Sequence, residues 1–157
     1  MIISRLLAVV AVTTLALWPV PTLAAGSGSS TSAPTKDPTF AAAEKAVKAG
    51  DYRGAIPLLE RVVASKPSDA DALNYLGFSH RKLGQFEAAL AFYQRALAAD
   101  PDHRGAHEYL GELYLQMNDM AKAEEHLQRL DKLCFFGCEE YSELKNAIQA
   151  YKAKPGG

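Results

Sequence analysis

A chain of 157 residues with 48% hydrophobic, 22% charged and 9% aromatic residues has the composition of one globular domain, not of a disordered chain or a protein of many membrane spans. Its 17 Lys and Arg against 18 Asp and Glu leave a net charge of −1, without the basic excess that neutralising nucleic-acid phosphates requires. Two cysteines suffice for one bridge or one redox pair, not for a disulfide framework.

The first element is a targeting segment. Arg5 is the one charge before a run from Leu6 to Trp18 that is apolar except for Thr13 and Thr14. A membrane-spanning helix needs about 20 apolar residues, whereas this run meets Pro19 and Pro21 first and is followed by Thr22, Leu23, Ala24 and Ala25, the small residues suited to signal peptidase. Residues 1–24 read as an export signal cleaved after Ala24, which makes the mature protein periplasmic or secreted. The competing reading is an uncleaved anchor, and only then does the protein sit on a membrane. Residues 25–37 turn to Gly, Ser, Thr, Ala and Pro, which bury too little apolar surface to offset chain ordering, and form a flexible tether.

From there the sequence repeats at an offset of 34 residues: Ala55 aligns with Ala89 and Ala123, Pro67 with Pro101, Leu76 and Gly77 with Leu110 and Gly111, and Gly50 with Gly84 and Asn118. The period predicts six helices, at about 38–49, 53–65, 70–83, 86–99, 104–117 and 120–134. Gly50, Gly84 and Asn118 separate the helices of each pair, where a left-handed residue ends the first. Pro67 and Pro101 stop the second helices, with Ser68 or Asp69, and Asp102, placed to cap the helices that follow. The Ala positions, with Gly77 and Gly111, are small where two helices approach closely. Pro57 removes a backbone bond in the second helix and is expected to bend it slightly or delay its start.

A seventh helix, about 139–152, follows. Tyr141, Leu144, Ile148 and Tyr151 recur at intervals of three and four, while Glu139, Glu140, Glu143, Lys145, Asn146, Gln149 and Lys152 face outward. It reads as a cap over the apolar end of the stack.

This pattern resembles the tetratricopeptide repeat, whose signature places Leu-Gly in the first helix, Ala in the second and Pro at its end. Residues 70–103 match nearly throughout, with Leu73, Leu76, Gly77, Gly84, Ala89, Tyr93, Ala96, Leu97 and Pro101; 104–137 and 36–69 match less fully. The resemblance implies an all-α solenoid of three helix-turn-helix repeats plus the capping helix. It also implies that the first helix of each repeat lines a concave groove for a peptide or a partner helix. The family's groove positions fall on Asp37, Phe40, Glu44, Val47 and Lys48, then Asp71, Asn74, Phe78, Arg81 and Lys82, then Gly105, Glu108, Glu112, Leu115 and Gln116. Phe40 and Phe78 are the expected anchors for a ligand side chain. Phe40 and Glu44 stand where chaperone-binding members begin a Lys and Asn clamp for a C-terminal carboxylate, which argues against that specificity. Groove charges of both signs point to a partner with both.

Cys134 and Cys138 flank Phe135, Phe136 and Gly137 at the start of the cap. In an exported protein they read as a disulfide fixing the cap; the alternatives are a periplasmic thiol-redox pair, or soft-metal binding joined by His126. His103 and His107 are four apart on one helix, a metal-ligand spacing, but His107 and His80 occupy places where the repeat carries packed aromatics. No nucleophile elbow, dinucleotide loop or phosphate loop is present, so the reading is a non-catalytic protein with no cofactor and no metal, binding a protein or peptide.

Overall fold

The computed structural model describes residues 37–154. The segment expected to be an export signal, and all of the expected tether but Asp37, lie outside them. Among the described residues there are seven helices and no strand: α1 (Pro38–Lys48), α2 (Tyr52–Ser65), α3 (Ala70–Lys82), α4 (Phe86–Ala99), α5 (Arg104–Gln116), α6 (Met120–Leu133) and α7 (Glu139–Lys152). None of the described helices is long and apolar enough to cross a membrane.

The repeat is expressed in backbone geometry. Gly50, Gly84 and Asn118 have φ of 76°, 74° and 60°, the left-handed conformation expected of them. Each turn then closes with the same bond five residues back, from Asp51 N–H to Ala46 O (2.9 Å), Gln85 N–H to His80 O (2.9 Å) and Asp119 N–H to Tyr114 O (2.8 Å). That bond satisfies a carbonyl the helix end would leave bare. Asp51, Asp69 and Asp119 cap α2, α3 and α6, accepting from the N–H of Gly54, Ala72 and Lys122.

Two expectations are corrected here. The cap of α5 is His103, whose Nδ1 accepts from the Ala106 N–H at 3.0 Å, while Asp102 pairs with Arg129 of α6. Of the two effects expected of Pro57, the delayed start does not occur: α2 begins at Tyr52 and runs unbroken through it. Pro57 is exposed, so water can serve the carbonyl that loses its partner.

Packing proceeds helix on neighbouring helix. Phe40, Val47, Leu59, Val62 and Leu76 form one buried cluster over α1, α2 and α3; Tyr93, Leu110, Leu113, Leu130, Leu144 and Ile148 form another from α4 to α7. Leu73, Ala96 and Ala106 join the two. Each fully buried Leu contributes about 2 kcal/mol. Ala55, Ala89 and Ala123 have no exposed surface, as close helix approach requires. Gly77 lies against the Tyr93 ring and Gly111 against Leu144.

The cap continues the repeat. One further step of 34 places Leu144 under Leu110 and Ile148 under Tyr114, and both pairs are buried in one cluster. Helix α7 is thus the first helix of a fourth, half-length repeat, packed on α5 and α6.

Candidate functional site

The first helices α3 and α5 and the cap α7 share one face, which holds two open clefts. The first, about 620 Å³, is lined by Arg81 and Lys82 of α3, Glu112, Leu115 and Gln116 of α5, and Ala147, Ala150 and Tyr151 of α7, with Lys154 at its rim. The second, about 330 Å³, is lined by Asp71, Asn74 and Tyr75, by His103, Gly105, Glu108 and Tyr109, and by Glu139, Glu140 and Glu143. They adjoin along α5, where Glu108 lies one turn before Glu112.

Their charges differ in sign and in availability. In the first cleft Lys82 is exposed, its ammonium 5.5 Å from the centre of the Phe78 ring. Arg81 is not a free groove cation. Its side chain is 4% exposed and its Nη2 donates to Glu112 Oε2 at 2.6 Å. The guanidinium also lies over the rings of Phe78 and Tyr109, at 5.4 and 5.7 Å. It is an internal strut between α3 and α5.

In the second cleft, burial pushes the Glu108 carboxyl up to about 8, and Glu112, Glu140 and Glu143 push the same way against Arg81. Asp71 accepts from His103 Nε2 at 3.2 Å and, chiefly through that bond, holds the imidazole above its ordinary pKa.

Of the residues expected in the groove, Arg81, Lys82, Glu112 and Gln116 line the first cleft, and Asp71, Asn74 and Glu108 the second. Phe40 is corrected. It is 6% exposed, in the core of α1 to α3, with its ring edge-on to Tyr75 at 5.7 Å, and offers no anchor. Glu44 accepts from the Tyr75 hydroxyl, and Lys48 is exposed at the end of α1; neither lines either of these two clefts. Asp37 is the cap of α1. Phe78 is half-buried, 5.9 Å from Tyr52 and 4.8 Å from Tyr109.

Sequence reasoning missed the contribution of α7. Glu139, Glu140 and Glu143 read as solvated charge, yet they wall the acidic cleft. The signal was the extra step of 34 residues, which makes α7 a first helix and gives it a groove face.

Cys134 and Cys138 have their sulfurs joined and their Cα atoms 5.5 Å apart. Cys138 also starts α7, its sulfur facing the Tyr141 N–H at 3.4 Å. The loop between them holds Phe135 and Phe136 almost wholly in solvent, 86% and 97% exposed. His126 is hydrogen-bonded to His107. The Nε2–H of His107 donates to Pro101 O at 3.0 Å, leaving its Nδ1 to accept from His126 Nδ1 at 2.9 Å. His103 and His107 thus turn to different partners.

Models of the tetratricopeptide repeat match residues 40–102 and 80–148, reaching together from α1 into α7. The chain belongs to the tetratricopeptide repeat family. No curated protein matches it. Among solved tetratricopeptide-like folds it is similar to the first repeat domain of Spaghetti (RPAP3), there bound to an HSP90 peptide, at TM-score 0.64 and 19% identity over 73% of this chain and 91% of that one. It is similar to the type III secretion translocator chaperone SycD of Yersinia enterocolitica, at TM-score 0.65 and 20% identity over 73% and 81%. A MamA RS-1 double mutant shares 30% identity over 60% of this chain and 53% of that one, at TM-score 0.57. The tetratricopeptide fold is thereby shared across proteins with different partners.

Proposed function

We propose that this protein is a non-catalytic adaptor or scaffold of the cell envelope, holding a peptide or a helix of a partner protein on the face formed by α3, α5 and α7. The observation that carries the reading is the pair of adjoining open clefts, one with exposed Lys82 and Lys154, the other walled by carboxylates. Such a surface favours one direction of a partner segment that bears both charges. The fold relatives add weight, since one is bound to an HSP90 peptide and another, PcrH, to the chaperone-binding region of PopD.

The partner differs from an acidic C-terminal tail, because Phe40 is buried and Glu44 is acidic where a carboxylate clamp begins. Export rests on the pattern of residues 1–24 and accords with joined cysteines, which oxidising compartments favour. The role of Cys138 at the start of α7 supports a structural bridge over a redox pair.

Charge reversal tests the reading. Lys82→Glu with Glu143→Lys alters only exposed positions, so helicity by circular dichroism stays unchanged while co-purification of the native partner from its own compartment falls. Undiminished capture moves the site off this face.

A further inference from the structure

We propose that Cys134, Cys138 and Glu140, once the bridge is reduced, form a binding site for one divalent cation of the zinc class. Closed, the cysteine pair is the structural bridge described above; the cation site belongs to its reduced form.

The three side chains are already gathered. Among the described residues they are the only group of three potential ligands whose atoms lie within 4.8 Å of one another. His126, the third ligand expected of a soft-metal site, is bonded to His107, and the Glu140 carboxylate takes that place. Two sulfurs and one oxygen suit a borderline-soft ion, whereas calcium and magnesium are held by oxygen alone. The three residues between the cysteines fall within the spacing of paired zinc ligands.

The turn that carries these ligands does not depend on the bridge. Cys134 follows α6, its N–H bonded to Leu130 O at 2.9 Å, and Leu130 has no exposed surface. Gly137 takes a left-handed φ of 86° and donates its N–H to Cys134 O at 2.7 Å, so the backbone reverses on its own hydrogen bond. Cys138 and Glu140 stand at the start of α7, which Leu144 and Ile148 hold in the core. Reduction therefore leaves both sulfurs beside Glu140. Two Zn–S bonds of about 2.3 Å in a tetrahedron place the sulfurs about 3.8 Å apart, and a change of rotamer at one cysteine opens them that far. The Tyr141 N–H, 3.4 Å from Cys138 Sγ, favours negative charge on that sulfur. Arg104 is 3.7 Å from the Glu140 carboxylate, beyond hydrogen-bond reach, and leaves it able to turn to the cation. The fourth position is open to water.

A dithiol balances the reduction. It gives two electrons and two protons to the S–S bond, which opens to two thiols, and closes its own disulfide. The cation then displaces the two thiol protons and joins α6 to α7 again.

The test is a titration of the purified protein with cobalt(II), after reduction by a phosphine and its removal in the absence of air, read as sulfur-to-cobalt charge-transfer absorption. The expected result is one cobalt per chain, displaced by zinc and not by calcium, with no band from the oxidised protein. Zinc raises the melting temperature of the reduced protein and not that of the oxidised one. Glu140→Gln weakens cobalt binding about tenfold, while Glu143→Gln, one turn further along α7, binds as the unaltered protein does. Loss of helicity by circular dichroism on reduction, no band from the reduced protein, one cobalt shared by two chains, or undiminished binding by Glu140→Gln overturns the site.

Discussion

The ring of Tyr93 lies flat against the backbone of Gly77: a side-chain carbon at Gly77 would stand 2.6 Å from the ring's Cδ1 and Cε1. Tyr93 has no exposed surface, so it cannot swing aside. Gly77→Ala therefore costs about 1–3 kcal/mol as overpacking, read as a lowered urea midpoint. The equivalent places in the other repeats hold Leu59 and Leu127, and Gly77→Ala with Tyr93→Leu recovers part of the loss. Additive losses would show that the two do not meet.

The Arg81–Glu112 pair is unevenly buried, with Arg81 at 4% and Glu112 at 26% side-chain exposure. Removing Glu112 strands a guanidinium that water hardly reaches; removing Arg81 leaves a carboxylate that water can still serve. Glu112→Ala is expected to cost about 3 kcal/mol and Arg81→Met less, with a coupling energy in the double-mutant cycle. The reverse order in chemical denaturation would contradict the assignment of Arg81 as an internal strut.

Phe135 and Phe136 touch solvent on nearly all sides. Replacing both with Ser should leave the unfolding free energy unchanged, within about 0.5 kcal/mol. Reducing the Cys134–Cys138 bridge should cost about 2 kcal/mol, the chain-entropy value for so short a loop. Comparing melts with and without dithiothreitol measures it, and the Cys134→Ser, Cys138→Ser variant should be indifferent to the reductant.

Half-buried His126 and buried Glu108 give stability opposite pH slopes. Burial, with His107 beside it, lowers His126 from about 6.5 to about 4, so its contribution is present above pH 6.5 and is lost as pH falls toward 4. Glu108 is raised from 4.5 to about 8, so its contribution is present below pH 4.5 and is lost as pH rises through 8. Thermal melts at pH 4.5, 6.5 and 8.5 should show His126→Gln losing less on acidification and Glu108→Gln losing less on alkalinisation. Variant curves parallel to those of the unaltered protein at every pH would contradict both environments.

The repeat was legible because its residues answer local demands. Gly50, Gly84 and Asn118 must take a left-handed turn, and Ala55, Ala89 and Ala123 must let helices touch; such demands recur at a fixed spacing. Helix limits followed to within one residue. The groove was less legible because exposure is set by the neighbours. Tyr75 covers Phe40 from the next first helix, and Glu112 draws Arg81 inward. His103 as a cap was hidden by Asp102 beside it, the better cap by residue type, which instead reaches Arg129. Glu139, Glu140 and Glu143 were assigned to solvent because the cap was read as an ending, although it continues the repeat.

The proposed function requires the partner to lie across α3, α5 and α7. Photo-crosslinking residues placed one at a time at Lys82, Gln116 and Ala150 on that face, and at Glu60, Arg95 and Gln128 on the second helices, test this in the native compartment; all six are exposed. Binding on that face gives one shared adduct from Lys82, Gln116 and Ala150, and none of it from Glu60, Arg95 or Gln128. The same adduct from the second helices, with none from the first set, would contradict it.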